Sequence, residues 1–302
     1  GARGASSAET AALGGMGHLV NFMGTDTFEA LEGVMEFYNT DTIVGFSIPA
    51  SEHSTITSWG RENEVDAFEN MLDTFGGPGK LFACVSDSFD IYAATRDLWG
   101  EKLRDKVIGM GGTLVVRPDS GDPETVPVEI VQILAEKFGF TVNSKGYKVL
   151  HPSVRVIQGD GINEHSLPKI LANLKAAGFS TDNIAFGMGG GLLQAWNRDT
   201  LKYAMKASAI RINEGEWKGF SKDPITDKGK RSKEGRLGLV YECGLGSCSY
   251  RTLPEEIANK KGNLLRTVFK DGKLLIEDTF ETIRERAALK EEEYMPQEIE
   301  RY

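Results

Sequence analysis

The sequence predicts an α/β protein: an incomplete parallel β/α barrel followed by a smaller α+β region. Two observations predict it. Short apolar runs and helical stretches alternate repeatedly along residues 18–198, and strands separated by helices pair in parallel with right-handed crossovers. The polar, chemistry-bearing segments each follow a strand and precede a helix. In a closed barrel such loops share one face, where active sites sit; an open doubly wound sheet gathers ligands at a single switch point. Several separate polar loops favour the barrel. A further strand is expected at 207–212, so a barrel of eight would need a contribution from before Gly1.

Each element has a local cause. Residues 6–9, Ser-Ser-Ala-Glu, have capping-box spacing before a helix that runs to about His18. Gly14, Gly15 and Gly17 lower its helix propensity and point to close packing against another backbone. Residues 18–22 read as a short strand, 24–27 as a polar turn and 28–38 as a helix. The unit recurs as strand 43–48, loop 49–54 and helix 55–75, then as strand 81–85, loop 86–88 and helix 89–103. It recurs again as strand 113–116, loop 117–123 and helix 126–138, and as strand 154–157, loop 158–161 and helix 166–177. Strand 184–186, glycine loop 187–191 and a short helix to about Arg198 complete the series. From about residue 213 the character changes. Residues 214–235 form a long polar loop, 236–241 and 249–253 read as strands, and 264–270 with 273–276 flank Asp271-Gly272, a hairpin signal. A helix follows at 280–289. The expected division is a catalytic domain at 1–212 and a smaller region at 213–302.

With 40% hydrophobic and 26% charged residues, the chain is an ordinary globular protein. Its net charge of −9 argues against nucleic acid or a membrane surface as a partner, so any bound phosphate needs local cations and backbone amides. No apolar run is long enough to span a bilayer. Three cysteines, Cys84, Cys243 and Cys248, suggest a reducing compartment, and their spacing does not suit structural zinc. The chain opens on Gly-Ala-Arg-Gly without Met and runs into a helix, so it is expected to begin inside a longer protein.

The main candidate site is the sequence VVRPDSGDP at 115–123. Pro118 ends the strand, Gly121 and Pro123 enforce a turn, and Arg117, Asp119 and Asp122 stand on it. A forked guanidinium suits phosphate oxygens, and Asp suits ribose hydroxyls or a divalent metal; equally, Arg117 and Asp119 could simply pair with each other. The glycines at 187–191 leave N–H groups free for a phosphate, or make a tight packing turn. Asp160 lies between glycines at another strand end, as a ligand contact or a plain Asp-Gly turn. Asp26 and Asp87 follow the same pattern more weakly, since either could cap the next helix. His53 lies beside Glu52, which could orient or charge it. Arg3, Arg198, Lys206 and the basic run 228–233 supply positive charge. No Ser-His-Asp arrangement is present, so acyl transfer is rejected.

Together these segments resemble one family closely. From ARGASSAET through GTDT, IPASEHSTITSWG, VSDSFDIY, VVRPDSGDP, NSKGYK, RVIQGDG and IAFGMGGGLLQ to KRSKEGRL and TVFKDGK, the chain resembles the nicotinamide phosphoribosyltransferases. The resemblance implies a type II phosphoribosyltransferase fold and a homodimer with active sites at the subunit interface. It implies that phosphoribosyl pyrophosphate and nicotinamide give nicotinamide mononucleotide and pyrophosphate with Mg²⁺, in the cytoplasm, with ATP as an activating co-substrate. By motif, Asp26 resembles the acceptor for the nicotinamide amide, and Arg117 and Asp119 resemble ligand- and ribose-binding residues. Asp160 resembles the ribose-diol contact. Gly190 and Gly191, with Arg198 nearby, resemble the 5′-phosphate site, and Arg3 a base- and phosphate-side arginine. His53 resembles the histidine that the family phosphorylates. Family members carry a substantial portion ahead of this start, with aromatics that stack on the base, and the region 213–302 would pack against it. Met188 stands where a smaller residue is expected. The nearest enzyme alternative is a nicotinate phosphoribosyltransferase, which a carboxylate at Asp26 opposes by repulsion. The non-enzyme alternative is a binding or scaffolding fragment.

Overall fold

A computed structural model describes residues 2–199, 204–244 and 247–288. They group into two compact units, Gly1–Trp196 with Ile283–Tyr302, and Asn197–Thr282.

The first unit begins with helices α1 (Ala8–Leu19) and α2 (Phe28–Tyr38). Ser7 caps α1 by accepting from the Thr10 N–H at 3.0 Å, one residue later than the capping-box spacing placed it. Gly14 and Gly15 pack closely, as does Gly33 of α2, whereas Gly17 does not. A Cβ on Gly15 would lie 2.5 Å from the Ala30 Cβ, and one on Gly33 would lie 2.9 Å from the Met16 Sδ. The strand expected at 18–22 is absent, because α1 continues through Leu19 and closes in turns, with the Asn21 and Phe22 N–H groups donating to the His18 carbonyl.

Next come α3 (His53–Thr57), α4 (Glu64–Phe75), β1 (Leu81–Val85) and α5 (Ile91–Ala93). α5 runs into a π-helical stretch, Ala94–Lys102. Then follow α6 (Arg104–Gly109), β2 (Thr113–Arg117), α7 (Val126–Phe138) and the small antiparallel pair β3 (Phe140–Val142) and β4 (Lys148–Leu150). β5 (Val154–Gln158), α8 (Ser166–Ala176), β6 (Ile184–Phe186) and the four-residue α9 (Gly190–Leu193) follow in turn.

The sheet order is β1-β2-β5-β6, all parallel. Two single parallel bridges extend it beyond β1: Ala50 to Ala83, then Phe46 to Gly24. Neighbours therefore follow chain order with no reversal, and the loops after the strands open on one side. The pairings among the described residues do not close the sheet into a ring.

Register sets the core. Phe82, Cys84, Leu114, Val116, Val154 and Val156 alternate along their strands and are fully buried. Phe68 and Trp99 stack with centroids 4.6 Å apart, and Ile130, Leu134, Ile170 and Leu174 complete the helical cover. Each such side chain contributes about 1.5–3 kcal/mol on burial. This frame holds the strand ends rigid and leaves chemistry to the loops.

In the second unit, β7 (Ala209–Arg211) pairs antiparallel with β8 (Trp217–Gly219). The run at 207–212 is thus not a further parallel strand among the described pairings; a turn at 213–215 folds it back on its own continuation. β9 (Leu237–Gly244) and β10 (Ser247–Pro254) form a hairpin, followed by α10 (Glu255–Lys260). β11 (Phe269–Lys270) and β12 (Lys273–Leu274) turn on Asp271 and Gly272, whose φ values of 50° and 78° suit a tight hairpin turn. α11 (Phe280–Ala287) ends the described chain. Cys243 and Cys248 face each other across β9 and β10 and are disulfide-bonded, where free thiols were expected; Cys84 is free and buried. No helix among the described residues is long and apolar enough to cross a membrane.

Candidate functional site

The site forms where β1, β2 and the segment at 49–53 end side by side. β1 delivers Ser86-Asp87-Ser88, β2 delivers Arg117 and the Pro118–Asp122 turn, and α3 starts at His53. The parallel register pairs Val85 with Arg117, and the Ser86 N–H donates to the Arg117 carbonyl at 3.0 Å, so both loops leave the sheet together.

Asp87 joins them. Its side chain is 3% exposed. One oxygen lies 3.0 Å from the His53 Nε2. The other accepts from the Asp119 N–H at 2.9 Å and from the Ser120 hydroxyl at 2.5 Å. Burial alone would push this carboxyl up, but the Ser120 hydroxyl, the Asp119 N–H and His53 together hold it below the ordinary Asp value. An ionised Asp87 only accepts, so His53 donates from Nε2 and its Nδ1 keeps the free lone pair in the neutral ring. That Nδ1 lies 3.9 Å from an oxygen of Asp119, and the same oxygen accepts from the Arg117 guanidinium at 3.0 Å. Arg117 and Asp119 therefore pair, as one sequence alternative had it, and also belong to a larger cluster with His53, Asp87 and Ser120.

Glu52 does not orient His53. Its carboxylate caps α3, accepting from the Ser54 N–H at 2.9 Å and from the Ser54 hydroxyl. Asp87 takes the orienting role. In the sequence Asp87 carries only weak weight, because Ser-Asp-Ser after a strand reads equally well as a helix cap, and its partners lie more than thirty residues away.

The glycine turns after β5 and β6 meet beside this cluster. A Cβ on Gly159 would lie 3.6 Å from an Asp119 oxygen, and one on Gly187 would lie 3.5 Å from the Gly159 Cα. Gly161 has φ +68°, and a Cβ there would meet the Pro123 ring at 2.9 Å, so glycine is required. The N–H groups of Gly190 and Gly191 open α9, which has only four residues; the loop offers free amides rather than a long helix dipole. Met188 packs partly buried against the core. Asp160 is exposed, and its backbone carbonyl accepts from the Gln158 amide at 2.9 Å. Arg3 reaches the C-terminal end of α9 through its backbone, its carbonyl accepting from the Gln194 amide at 2.5 Å.

Other candidates stand apart from the cluster in the described contacts. Asp26 is exposed and accepts from the Ser47 hydroxyl at 2.5 Å. Arg198 lies in the second unit and pairs with Asp199 at 3.2 Å. In the basic run, Lys228 and Arg231 lie near Asp223, and Lys230 near Asp227. Among the described residues no group of three or more His, Cys, Asp or Glu could hold a metal ion.

Comparison with known proteins gives a consistent result. Residues 1–273 match the model of the nicotinate phosphoribosyltransferase (NAPRTase) family. The chain is 54% identical over 95% of its length to a nicotinamide phosphoribosyltransferase of Xanthomonas campestris pv. campestris, of which it covers 61%. It is 34% identical over 95% of its length to the enzyme of that name from Acinetobacter baylyi, covering 59% of it. It is 36% identical over 78% of its length to the one from Mycoplasma pneumoniae, covering 52%. The chain thus spans less than two thirds of the length of these relatives.

Proposed function

Since the chain belongs to the nicotinate phosphoribosyltransferase family, we propose that the protein transfers the phosphoribosyl group of phosphoribosyl pyrophosphate to nicotinamide in NAD salvage. The products are nicotinamide mononucleotide and pyrophosphate. The observation that carries this reading is the cluster of Arg117, Asp119, His53 and buried Asp87 beside two glycine turns at the ends of parallel strands. It combines a forked cation, an acceptor carboxylate and amides open to a phosphate, which a phosphorylated sugar needs. Relatives named for nicotinamide support that base over nicotinate.

In this reading the pyridine nitrogen attacks C1 of the ribose as pyrophosphate leaves, and it needs no general base. Arg117 stabilises negative charge growing on the ligand, and Asp119 and Asp160 accept from ribose hydroxyls. The amides of Gly190 and Gly191 bind the 5′-phosphate, with Arg3 adding charge. Asp26 accepts from the nicotinamide NH₂ and repels nicotinate. Mg²⁺ would supply further neutralisation of the charge that grows on the leaving pyrophosphate, beside the Arg117 guanidinium. His53, with its Nδ1 lone pair free, attacks the γ-phosphorus of ATP as an activating step, forming an N–P bond as the bond to the β-phosphate oxygen breaks and ADP leaves. The parallel sheet, carried by the first unit, belongs to an incomplete type II phosphoribosyltransferase barrel. The protein acts as a cytoplasmic homodimer with its sites at the interface.

The test is a product assay on the full-length protein with each base, alongside calorimetric titration. Nicotinamide mononucleotide formed in preference to the nicotinate product is the expected result. Preference for nicotinate would make it a nicotinate enzyme, and binding without product would leave a non-catalytic role.

A further inference from the structure

Resting on the function proposed above, we infer that Ser47 is a positioning residue that sets the choice of base by fixing the carboxylate of Asp26. The two residues stand on neighbouring parallel segments. Gly24 bridges to Phe46, the Phe46 N–H donates to the Met23 carbonyl at 2.7 Å, and the Thr25 N–H donates to the Phe46 carbonyl at 2.9 Å. This register puts the residue after Phe46 beside the residue after Thr25. The segment carrying Ser47 is tied on its other side too, where the Ala83 N–H donates to the Pro49 carbonyl at 2.8 Å. The turn carrying Asp26 is braced by the Thr27 N–H, which donates to the Thr25 hydroxyl at 3.1 Å. Both backbones are thus set by the sheet edge, while both side chains remain exposed to a ligand.

Between them runs one short contact, the Ser47 hydroxyl to the Asp26 Oδ1 at 2.5 Å. A carboxylate turns easily about its last torsion, which is broad and roughly two-fold. One hydroxyl on Oδ1 stops that rotation and leaves Oδ2, an acceptor only, as the free oxygen. A base carrying an NH₂ group can donate to it, and a base carrying a carboxylate cannot. Ser47 sharpens the choice a second time. Its one proton is committed to Asp26, so it has none to offer a carboxylate base. Discrimination therefore belongs to the pair, and Asp26 alone holds only part of it.

The experiment is steady-state kinetics of full-length wild type, Ser47→Ala, Ser47→Thr, Asp26→Asn and the Ser47→Ala/Asp26→Asn double variant, with nicotinamide and with nicotinate. Losing a hydrogen bond to a charged group corresponds to about tenfold to 150-fold. Ser47→Ala should raise KM for nicotinamide by that factor, with kcat and KM for phosphoribosyl pyrophosphate within about twofold. The preference for nicotinamide over nicotinate should fall in step, and Ser47→Thr, which keeps the hydroxyl, should restore most of it. In the Asp26→Asn background Ser47→Ala should add little, because the paired oxygen is already altered. An unchanged base preference in Ser47→Ala overturns the inference, as does a loss spread equally over both substrates and kcat with a lower melting temperature. A wild type that makes no nicotinamide mononucleotide overturns the proposed function beneath it. A wild type that does, with Ser47→Ala indistinguishable from it, overturns this inference alone.

Discussion

At the scale of the residue, Asp87 decides what His53 can do. Its oxygens serve His53 on one side and Asp119 and Ser120 on the other. An Asn there offers one oxygen and one NH₂, so one of these partners meets a donor instead of an acceptor. Asp87→Asn should lose about 10²-fold in kcat/KM, the scale of one misplaced charge-stabilising group, and should abolish ATP stimulation if His53 takes phosphate. Full ATP stimulation in the variant would remove Asp87 from the orienting role. Arg117→Ala should lose about 10²–10³-fold in kcat/KM; a loss under about tenfold would mean that Arg117 only pairs with Asp119. Glu64 is a different case. It is 7% exposed, and its Oε1 is buried without a partner among the described residues. Burial pushes its carboxyl up to about 7, against the pull of Arg61 and with the push of Asp90. The folded state thus holds a proton that the unfolded state releases near the ordinary Glu value. Stability from this group is complete below that ordinary value and falls as pH rises toward 7. Glu64→Gln should flatten that slope and be more stable than wild type at pH 8, by on the order of 1–3 kcal/mol. Urea unfolding from pH 4.5 to 8 reads this directly, and parallel profiles would refute it. The loop that carries Arg117 and Asp119 was legible because Pro and Gly break the strand before it. Asp87 carried only weak weight in the sequence and the pairing of Ser47 none, because their partners lie far along the chain.

At the scale of the element, helices were legible where apolar period and punctuation agree. Phe28–Tyr38 and Val126–Phe138 appear with the expected bounds, one stopping at Asn39 with φ 45°, the other at Gly139 with φ 84°. The run at 18–22 misled because alternation over five residues cannot outweigh a helix already propagating from a capped start. The stretch at 89–103 was seen as helical but not as wide-turned. Its Leu103 N–H reaches back to the Leu98 carbonyl at 2.9 Å, a tertiary accommodation that propensity does not report. Of the α1 glycines read as a packing device, Gly14 and Gly15 pack closely and Gly17 does not. Gly15 faces α2 with no room for a methyl group, whereas a Cβ on Gly17 would meet nothing within 4 Å. Gly15→Ala should therefore destabilise by about 1–3 kcal/mol through overpacking. Gly17→Ala should stabilise by about 0.5–1 kcal/mol through helix propensity. Thermal melts of the two variants should move in opposite directions; a shift of the same sign in both would mean that the α1–α2 crossing is not the constraint.

At the scale of the whole molecule, the sheet runs in chain order and the chain then leaves it. Residues 283–288 group again with the first unit. Arg284 is a tie in that return. Its guanidinium donates twice to the Leu19 carbonyl, at 2.9 and 2.7 Å, and once to the Val44 carbonyl at 2.5 Å. Leu19 is the last residue of α1, so its carbonyl is one that the helix cannot satisfy itself. A cation at this end also meets the negative end of the helix dipole. Val44 lies just before Phe46, the residue that bridges to Gly24 at the sheet edge. One side chain thus secures the end of the first helix and the outer segment of the sheet, across 265 residues of sequence. Loop closure over that length adds only slowly to the entropic cost, so a few well-aimed charged bonds can hold it. Arg284→Ala should lose about 1.5–3 kcal/mol, the range for hydrogen bonds to a charged group. Arg284→Lys should recover only part of that, because an ammonium lacks the planar fork that serves two carbonyls at once. Urea unfolding should show lower midpoints in the order wild type, Lys, Ala. Hydrogen exchange should rise first at the end of α1 and around Val44. A midpoint unchanged in Arg284→Ala would mean that water replaces the guanidinium at these carbonyls without loss, and that the return of the chain is secured by apolar packing alone.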